Sequence, residues 1–279
     1  MSWFSKWTGK RKAPEAALPH ALPPASLLSD PGCHRSINED SARIVLAGER
    51  GLLLVVADGM GGHKAGEIAS QTAVEIIERE YRGSHGSPGE ALAKAFQRAH
   101  SEILRLSSHD PALSGMGTTC TALAILDRQA WAAHVGDSRL YLVRAGTIYQ
   151  LSEDHTQCME LVRLGTMTLA EARKHEDRNV LCRAMGTRPT LEAAIWPTPM
   201  PVQDGDCFVL CSDGLHDLIN ETEIRDVASG FDPELACAKL IRMARDRGGY
   251  DNITVAIAHM PGPAESASLK PTRQLEVNE

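Results

Sequence analysis

The sequence predicts an α+β fold built mainly from antiparallel sheets. Strands and helices come in blocks rather than in strict alternation. Two long helical segments follow one another after the first strands, and a series of short strands then dominates. Two of the links between those strands, Asp127-Arg128 and Ala145-Gly146, have the length of an antiparallel hairpin turn.

Residues 1–25 are rich in Pro and Ala, and carry Lys6, Lys10, Arg11 and Lys12 among Trp3, Phe4 and Trp7. They read as a disordered tail in preference to a short amphipathic contact. One folded domain is expected over 26–261, with a second tail at 262–279. Residues 41–46 and 51–57 read as strands joined by Gly48-Glu49-Arg50. A helical stripe at Ile68, Ala73, Ile76 and Ile77 marks a helix over 65–81. Ser87-Pro88-Gly89-Glu90 is a helix start with an N-cap, Pro at N1 and Glu at N3, and its helix should reach about Leu106. Strands follow at 118–126, 130–135, 140–143 and 147–151. Residues 152–190 are charged and partly helical, with a capping box at Thr168 and Glu171, and read as an inserted flap. Strands return at 191–196 and 206–211. Asn220 with Glu223, and Asp232 with Pro233, open two more helices. A last strand covers 253–259.

The chain has 279 residues and is 43% hydrophobic, enough for a sizeable core. Its 29 basic and 36 acidic residues leave a net charge of −7, which argues against a general nucleic-acid binder. Aromatic residues are only 4%, too few for base-stacking platforms. The seven cysteines, Cys33, Cys120, Cys158, Cys182, Cys207, Cys211 and Cys237, form no C-x-x-C pair and read as reduced thiols of a cytoplasmic protein. No stretch is long and apolar enough to span a membrane, and no signal-peptide pattern is present.

Acids recur at strand ends. Asp40 precedes the strand that starts at Ser41. Asp58 ends the apolar run Leu52 to Ala57. Asp213 follows Cys207 to Cys211, and Asp251 precedes the last strand. Asp137, in Gly136-Asp137-Ser138-Arg139, sits between two others. Glycine follows directly at Gly59 and Gly214, where it would admit close approach of backbone or ligand. Any one of these acids could be a turn. As a set they would repel one another unless a cation joined them or one stayed protonated. Oxygen ligands without His or Cys favour the hard ions Mg²⁺ or Mn²⁺. Two such ions about 4 Å apart can share a carboxylate and trap a hydroxide, an arrangement suited to attack on phosphorus. Arg35, five residues before Asp40, is placed to reach the same region and suits bidentate phosphate contact.

These residues carry a family resemblance. The segments Arg35-Ser36-Ile37-Asn38-Glu39-Asp40, Val56-Ala57-Asp58-Gly59-Met60-Gly61-Gly62-His63, Gly117-Thr118-Thr119, Val135-Gly136-Asp137-Ser138-Arg139, Leu151-Ser152-Glu153-Asp154-His155-Thr156, Leu210-Cys211-Ser212-Asp213-Gly214 and Asp251-Asn252-Ile253-Thr254 resemble, in order, the metal-dependent protein serine/threonine phosphatases of the PP2C (PPM) type, bacterial members above all. The resemblance implies a central β-sandwich of two mostly antiparallel sheets with a helix pair on each outer face. It implies two Mn²⁺ or Mg²⁺ ions bridged by Asp58, with the Gly59 carbonyl on one ion and Asp213 and Asp251 on the other. Glu39 and Asp40 would act through water or touch a metal directly. Asp137, with Asp213, would take a third ion, and Arg35 the substrate phosphate. A metal-bridging hydroxide would attack without a phosphoenzyme. The flap at about 157–185 would shape substrate choice. The implied partners are phosphoproteins and a cognate Ser/Thr kinase, and a monomer is expected. Met60 departs from the eukaryotic pattern, which has a proton-donating histidine there. A metal-bound water is then the preferred acid, since His63 lies three residues further on.

Rival readings are weaker. Cys182 and Arg188 fit Cys-x5-Arg, the phosphate loop of cysteine-dependent phosphatases, but Leu181 stands where histidine is usual and the loop lacks their glycines. Gly59 and Gly61 begin G-x-G-x-x-G, but Lys64 breaks it and no G-K-[ST] follows. A pseudophosphatase would lack a metal ligand, and a nuclease would want a basic groove. His134, His155, Thr118, Thr119, Met116 and Met185 read as structural.

Overall fold

The structure, a computed structural model, describes residues 23–62 and 64–261. The aromatic positions of the N-terminal tail, the C-terminal tail and His63 lie outside the described residues.

Two antiparallel sheets stack face to face. The first contains β1 (Ala25–Asp30), β12 (Ile253–His259), β11 (Cys207–Cys211), β7 (Arg139–Arg144) and β8 (Thr147–Gln150), in that order. The second runs β10 (Met200–Pro201), β6 (Gln129–Val135), β5 (Cys120–Leu126), β3 (Leu52–Met60) and β2 (Asp40–Leu46). β4 (Gly117–Thr118) pairs with the far end of β3, and β9 (Ala194–Ile195) pairs with β6. Helices α1 (Lys64–Gly83) and α2 (Pro88–His109) cover the second sheet. Helices α6 (Glu221–Gly230) and α7 (Pro233–Asp246) cover the first. The predicted sandwich with flanking helix pairs is what the chain forms.

Three apolar layers hold it. Strand side chains alternate between faces, so a strand buried on both sides must be apolar throughout. In β3, Leu53, Val55 and Ala57 pack under α1 and α2, while Leu52, Leu54 and Val56 face the other sheet. In β12, Ile253, Val255 and Ile257 meet α7, and Ala256 and Ala258 pack with Leu52, Leu54 and Val56 between the sheets. Removing such a side chain would cost about 2–5 kcal/mol through lost transfer energy and a cavity.

The helix starts form as their sequences dictate. Capping boxes close at Ser87 and Glu90, at Thr168 and Glu171, and at Asn220 and Glu223. Both hairpin turns have positive φ at their two central residues, Asp127 and Arg128 in one, Ala145 and Gly146 in the other, which is the twist an antiparallel pair requires.

Several boundaries differ from expectation. β1 was not foreseen as a strand. It is a half-exposed edge that exists because it pairs with β12, with Ala25 opposite Ala258. β3 does not stop at Ala57. Gly59 and Met60 pair with Thr118 and Gly117, so Asp58 lies inside the strand. Asp213 starts a one-turn helix, α5 (Asp213–His216), rather than ending a strand. Gly48–Arg50 winds into a 3-10 turn, and α2 continues to His109. The flap carries α3 (Gln157–Arg163) and α4 (Leu169–Ala172). Its base is stitched to the sandwich by Cys182 N donating to His155 O and by paired bonds between Met185 and Thr118. No described helix is long and apolar enough to cross a membrane.

Candidate metal centre

Asp40 and Asp58 face each other directly in the β2–β3 register. Like charges placed opposite across a ladder destabilise it. The backbone around Asp58 is nevertheless held firmly. Thr119 Oγ1 accepts from Asp58 N at 2.9 Å, Thr118 Oγ1 donates to Asp58 O at 2.8 Å, and Thr119 N donates to the same carbonyl at 2.8 Å. Those two threonines are buried supports, as expected. The neighbouring glycines permit close packing. A Cβ on Gly59 would lie 2.0 Å from Gly66 O, and one on Gly214 would lie 2.0 Å from Asn252 O.

A cavity of about 480 Å³ opens over this point. Arg35, Glu39, Asp58, Gly59, Asp137, Asp213 and Asp251 all line it, together with Met60 and the flap base from Asn179 to Arg188. Asp40 does not. It sits behind the floor, where Ser212 Oγ donates to its Oδ2 at 2.7 Å. A larger hollow of about 870 Å³ lies on the other side of the flap base and reaches only Asp137 of the predicted acids. Most of the predicted acids, with Arg35, gather at the smaller one.

The electrostatics of the floor are those of a site with too few positive charges. Burial, then the charges of Asp40, Asp213 and Asp137, pushes the Asp58 carboxyl well above the carboxylate range. Burial raises Asp40 to about 7, with Asp213 and Asp251 adding to it. Burial and then Asp213 raise Asp137, and burial also raises Asp213. Asp40 Oδ1 and Asp213 Oδ1 are buried and accept no hydrogen bond from any described residue. Buried carboxylate oxygens in that state need a cation or a proton. Hard divalent ions fit the all-oxygen donor set. The side chains ring the cavity rather than closing on a point. Among the described residues, no three His, Cys, Asp or Glu side chains are already drawn together in ligating geometry.

Arg35 reaches the same place by a zipper between two loops. Cys33 N donates to Gly249 O at 2.7 Å, and the His34 and Tyr250 rings stack with centroids 5.2 Å apart. Arg35 Nη2 then donates to Asp251 Oδ2 at 2.9 Å. Asn252 locks the other flank. It accepts from Glu39 N at 2.8 Å and donates to Pro31 O and Ile37 O. Asn252 and Ser212 were not singled out from the sequence, although each adjoins a predicted ligand inside a quoted motif.

Cys182 and Arg188 both line the cavity, so the thiolate reading is decided by geometry. A phosphate loop needs free amides turned inward. Here Cys182 N is spent on His155 O, Met185 N on Thr118 O and Gly186 N on His100 Nδ1. Burial pushes the Cys182 thiol up, away from thiolate.

The protein phosphatase 2C family model matches residues 34–252. The chain belongs to that family. It is 36% identical over 240 residues to the protein phosphatase PhpP of Streptococcus pneumoniae, covering 84% of this chain and 96% of PhpP. The crystal structure of the Mycobacterium tuberculosis serine/threonine phosphatase PstP/Ppp superposes with a TM-score of 0.76 at 35% identity, over 85% of this chain and 98% of that one. A PstP catalytic domain in complex with two manganese ions superposes at 0.74, also 35% identical, over 84% and 96%.

Proposed function

We propose that this chain hydrolyses phosphoserine and phosphothreonine esters on proteins, opposing a Ser/Thr kinase, as a monomeric cytoplasmic enzyme. Two Mn²⁺ or Mg²⁺ ions would supply a bridging hydroxide that attacks phosphorus in line, with no covalent phosphoenzyme. The observation that carries the reading is the gathering of five acids and Arg35 around one cavity in a member of this family. The two manganese ions of the PstP complex support the choice of metal.

In this reading Asp58 would bridge both ions, the Gly59 carbonyl would hold one, and Asp213 and Asp251 would hold the other. Glu39 and Asp40 act through water, and Asp137 with Asp213 takes a third ion. Arg35 orients the phosphate. The leaving oxygen would need a proton, which metal-ordered water would supply when the ions are bound. Met60 has no proton to give, and among the described residues no His, Lys or Tyr lines the cavity. The test is phosphate release from a phosphothreonine peptide with Mn²⁺ and with excess EDTA. Release only with metal is expected. No release with Mn²⁺ or Mg²⁺ supplied would overturn the reading.

A further inference from the structure

Three arginines line the catalytic cavity, and two have partners. Arg35 is bonded to Asp251. Arg183 lies between Glu160, 3.8 Å from its Nη2, and Glu192, 3.5 Å from its Nε. Arg188 forms no ion pair or hydrogen bond with any described residue, and it is exposed.

Its position is nevertheless built. Met185 is fully buried and exchanges two backbone bonds with Thr118, at 3.1 and 2.9 Å. Gly186, at φ +81°, donates to His100 Nδ1 at 3.2 Å, and a Cβ there would fall 2.2 Å from Ile103 Cγ2. Only glycine fits that backbone and that space. Thr187 then packs beside Gly117 and Met60, because its Cγ2 and the Met60 Cε crowd the same point over Gly117. Arg188 is therefore carried three residues beyond Met185, an anchor that is tied, through Thr118, to Asp58. Rigid support of this kind makes a charge at the rim a selecting element rather than a mobile one.

We propose that Arg188 selects substrates in which an acidic side chain lies close in sequence to the phosphorylated Ser or Thr. This rests on the phosphatase reading above and names the substrate class of the same site. The phosphate itself goes to the floor, toward Arg35 and the acids that would hold metal. Arg188, on the flap wall, meets what flanks it. With a chain charge of −7, an acidic substrate segment meets net repulsion from the chain as a whole. An unpartnered guanidinium at the mouth reverses that locally and offers a carboxylate a forked donor.

The experiment uses the full chain loaded with Mn²⁺. Phosphothreonine peptides carrying Glu, Gln or Lys on either side of the phosphorylated residue are compared by kcat/KM, with p-nitrophenyl phosphate as a flank-free substrate. The wild type should prefer a Glu peptide over its Gln counterpart by about threefold to fivefold, a preference that fades in high salt. Arg188→Lys should keep part of it. Arg188→Glu should reverse it toward the Lys peptides. An unchanged Glu-to-Gln ratio in Arg188→Glu, with peptides still turned over, overturns the Arg188 assignment alone. Failure of every substrate, p-nitrophenyl phosphate included, overturns the phosphatase reading and this assignment with it.

Discussion

Arg35 and Asp251, both lining the cavity, are bonded to each other, Nη2 to Oδ2 at 2.9 Å. The arginine proposed to hold phosphate therefore rests on a carboxylate proposed to hold metal. Both side chains are about half exposed, at 48% and 40%, so the pair is weak and easily exchanged. Arg35→Ala should raise KM for a phosphopeptide by roughly tenfold or more with a smaller change in kcat, because a bidentate phosphate contact is lost. It should also tighten Mn²⁺ binding, by less than about fivefold, because Asp251 is released from a competing cation. Steady-state kinetics and calorimetric Mn²⁺ titration check the two halves. An unchanged KM would remove Arg35 from the phosphate site.

Asp58→Asn separates a ligand from a structural residue. The carboxyl is half-buried in the cavity opposite Asp40 and feels the charge of Asp213, so its charge opposes folding until a cation arrives. Asparagine keeps the shape and removes that charge. Mn²⁺-dependent turnover should fall by at least about a hundredfold. Without added metal, the variant should melt no lower than the wild type, and as much as roughly 2–4 °C higher. Mn²⁺ should raise the melting temperature of the wild type and not of the variant. A variant that keeps full activity would sink the bridging role.

His134 sets a pH dependence of stability away from the metals. Its Nδ1 meets Thr121 Oγ1 at 2.9 Å, its Nε2 meets Glu153 O at 3.0 Å, and its ring lies 4.9 Å from that of His155. Burial pushes His134 down to about 4; burial, then the charges of His134 and Arg183, pushes His155 down to about 3. In the unfolded chain each titrates near 6.5. The unfolded state therefore binds more protons between those values, so this contribution is complete above pH 6.5 and is lost as pH falls toward 4. The size for His134 is on the order of 3 kcal/mol. Carboxylates titrate alike in wild type and His134→Asn, so the difference between their urea-unfolding free energies isolates the ring. That difference should narrow from pH 7 to 4.5, and parallel curves would contradict the assignment.

What could be read from the chain beforehand follows from local physics. Leu52 to Ala57 is apolar throughout because both faces of β3 are covered, and that pattern is visible in one dimension. Gly59 and Gly214 mark close approaches because no side chain fits there. Three capping boxes need only four residues each. Beyond shifted element ends, the misses that shape the site are non-local. β1 exists through its pairing with β12, at the other end of the domain. The extension of β3 through Met60 depends on Gly117 and Thr118. The withdrawal of Asp40 behind the floor depends on its bond to Ser212, and the Arg35–Asp251 bond depends on two distant loops meeting. No window of sequence contains both partners of any of these.

Cys182 provides the last test, because it stands in the cavity with Arg188 as a thiolate phosphatase would require. Its surroundings oppose that chemistry. Burial raises the thiol, and three amides of the segment are already bonded to His155, Thr118 and His100. A nucleophilic cysteine needs the reverse, a lowered thiol in a ring of free donors. Cys182→Ser should keep kcat within about twofold of wild type, since the side chain bears no part of the reaction. EDTA should abolish turnover in both proteins, and Mn²⁺ should restore it in both. Alkylation is the less informative probe, because a bulky adduct on Cys182 would crowd the cavity whatever the mechanism. If Cys182→Ser lost activity while still binding Mn²⁺ and melting like the wild type, the two-metal mechanism would have to give way to a covalent one.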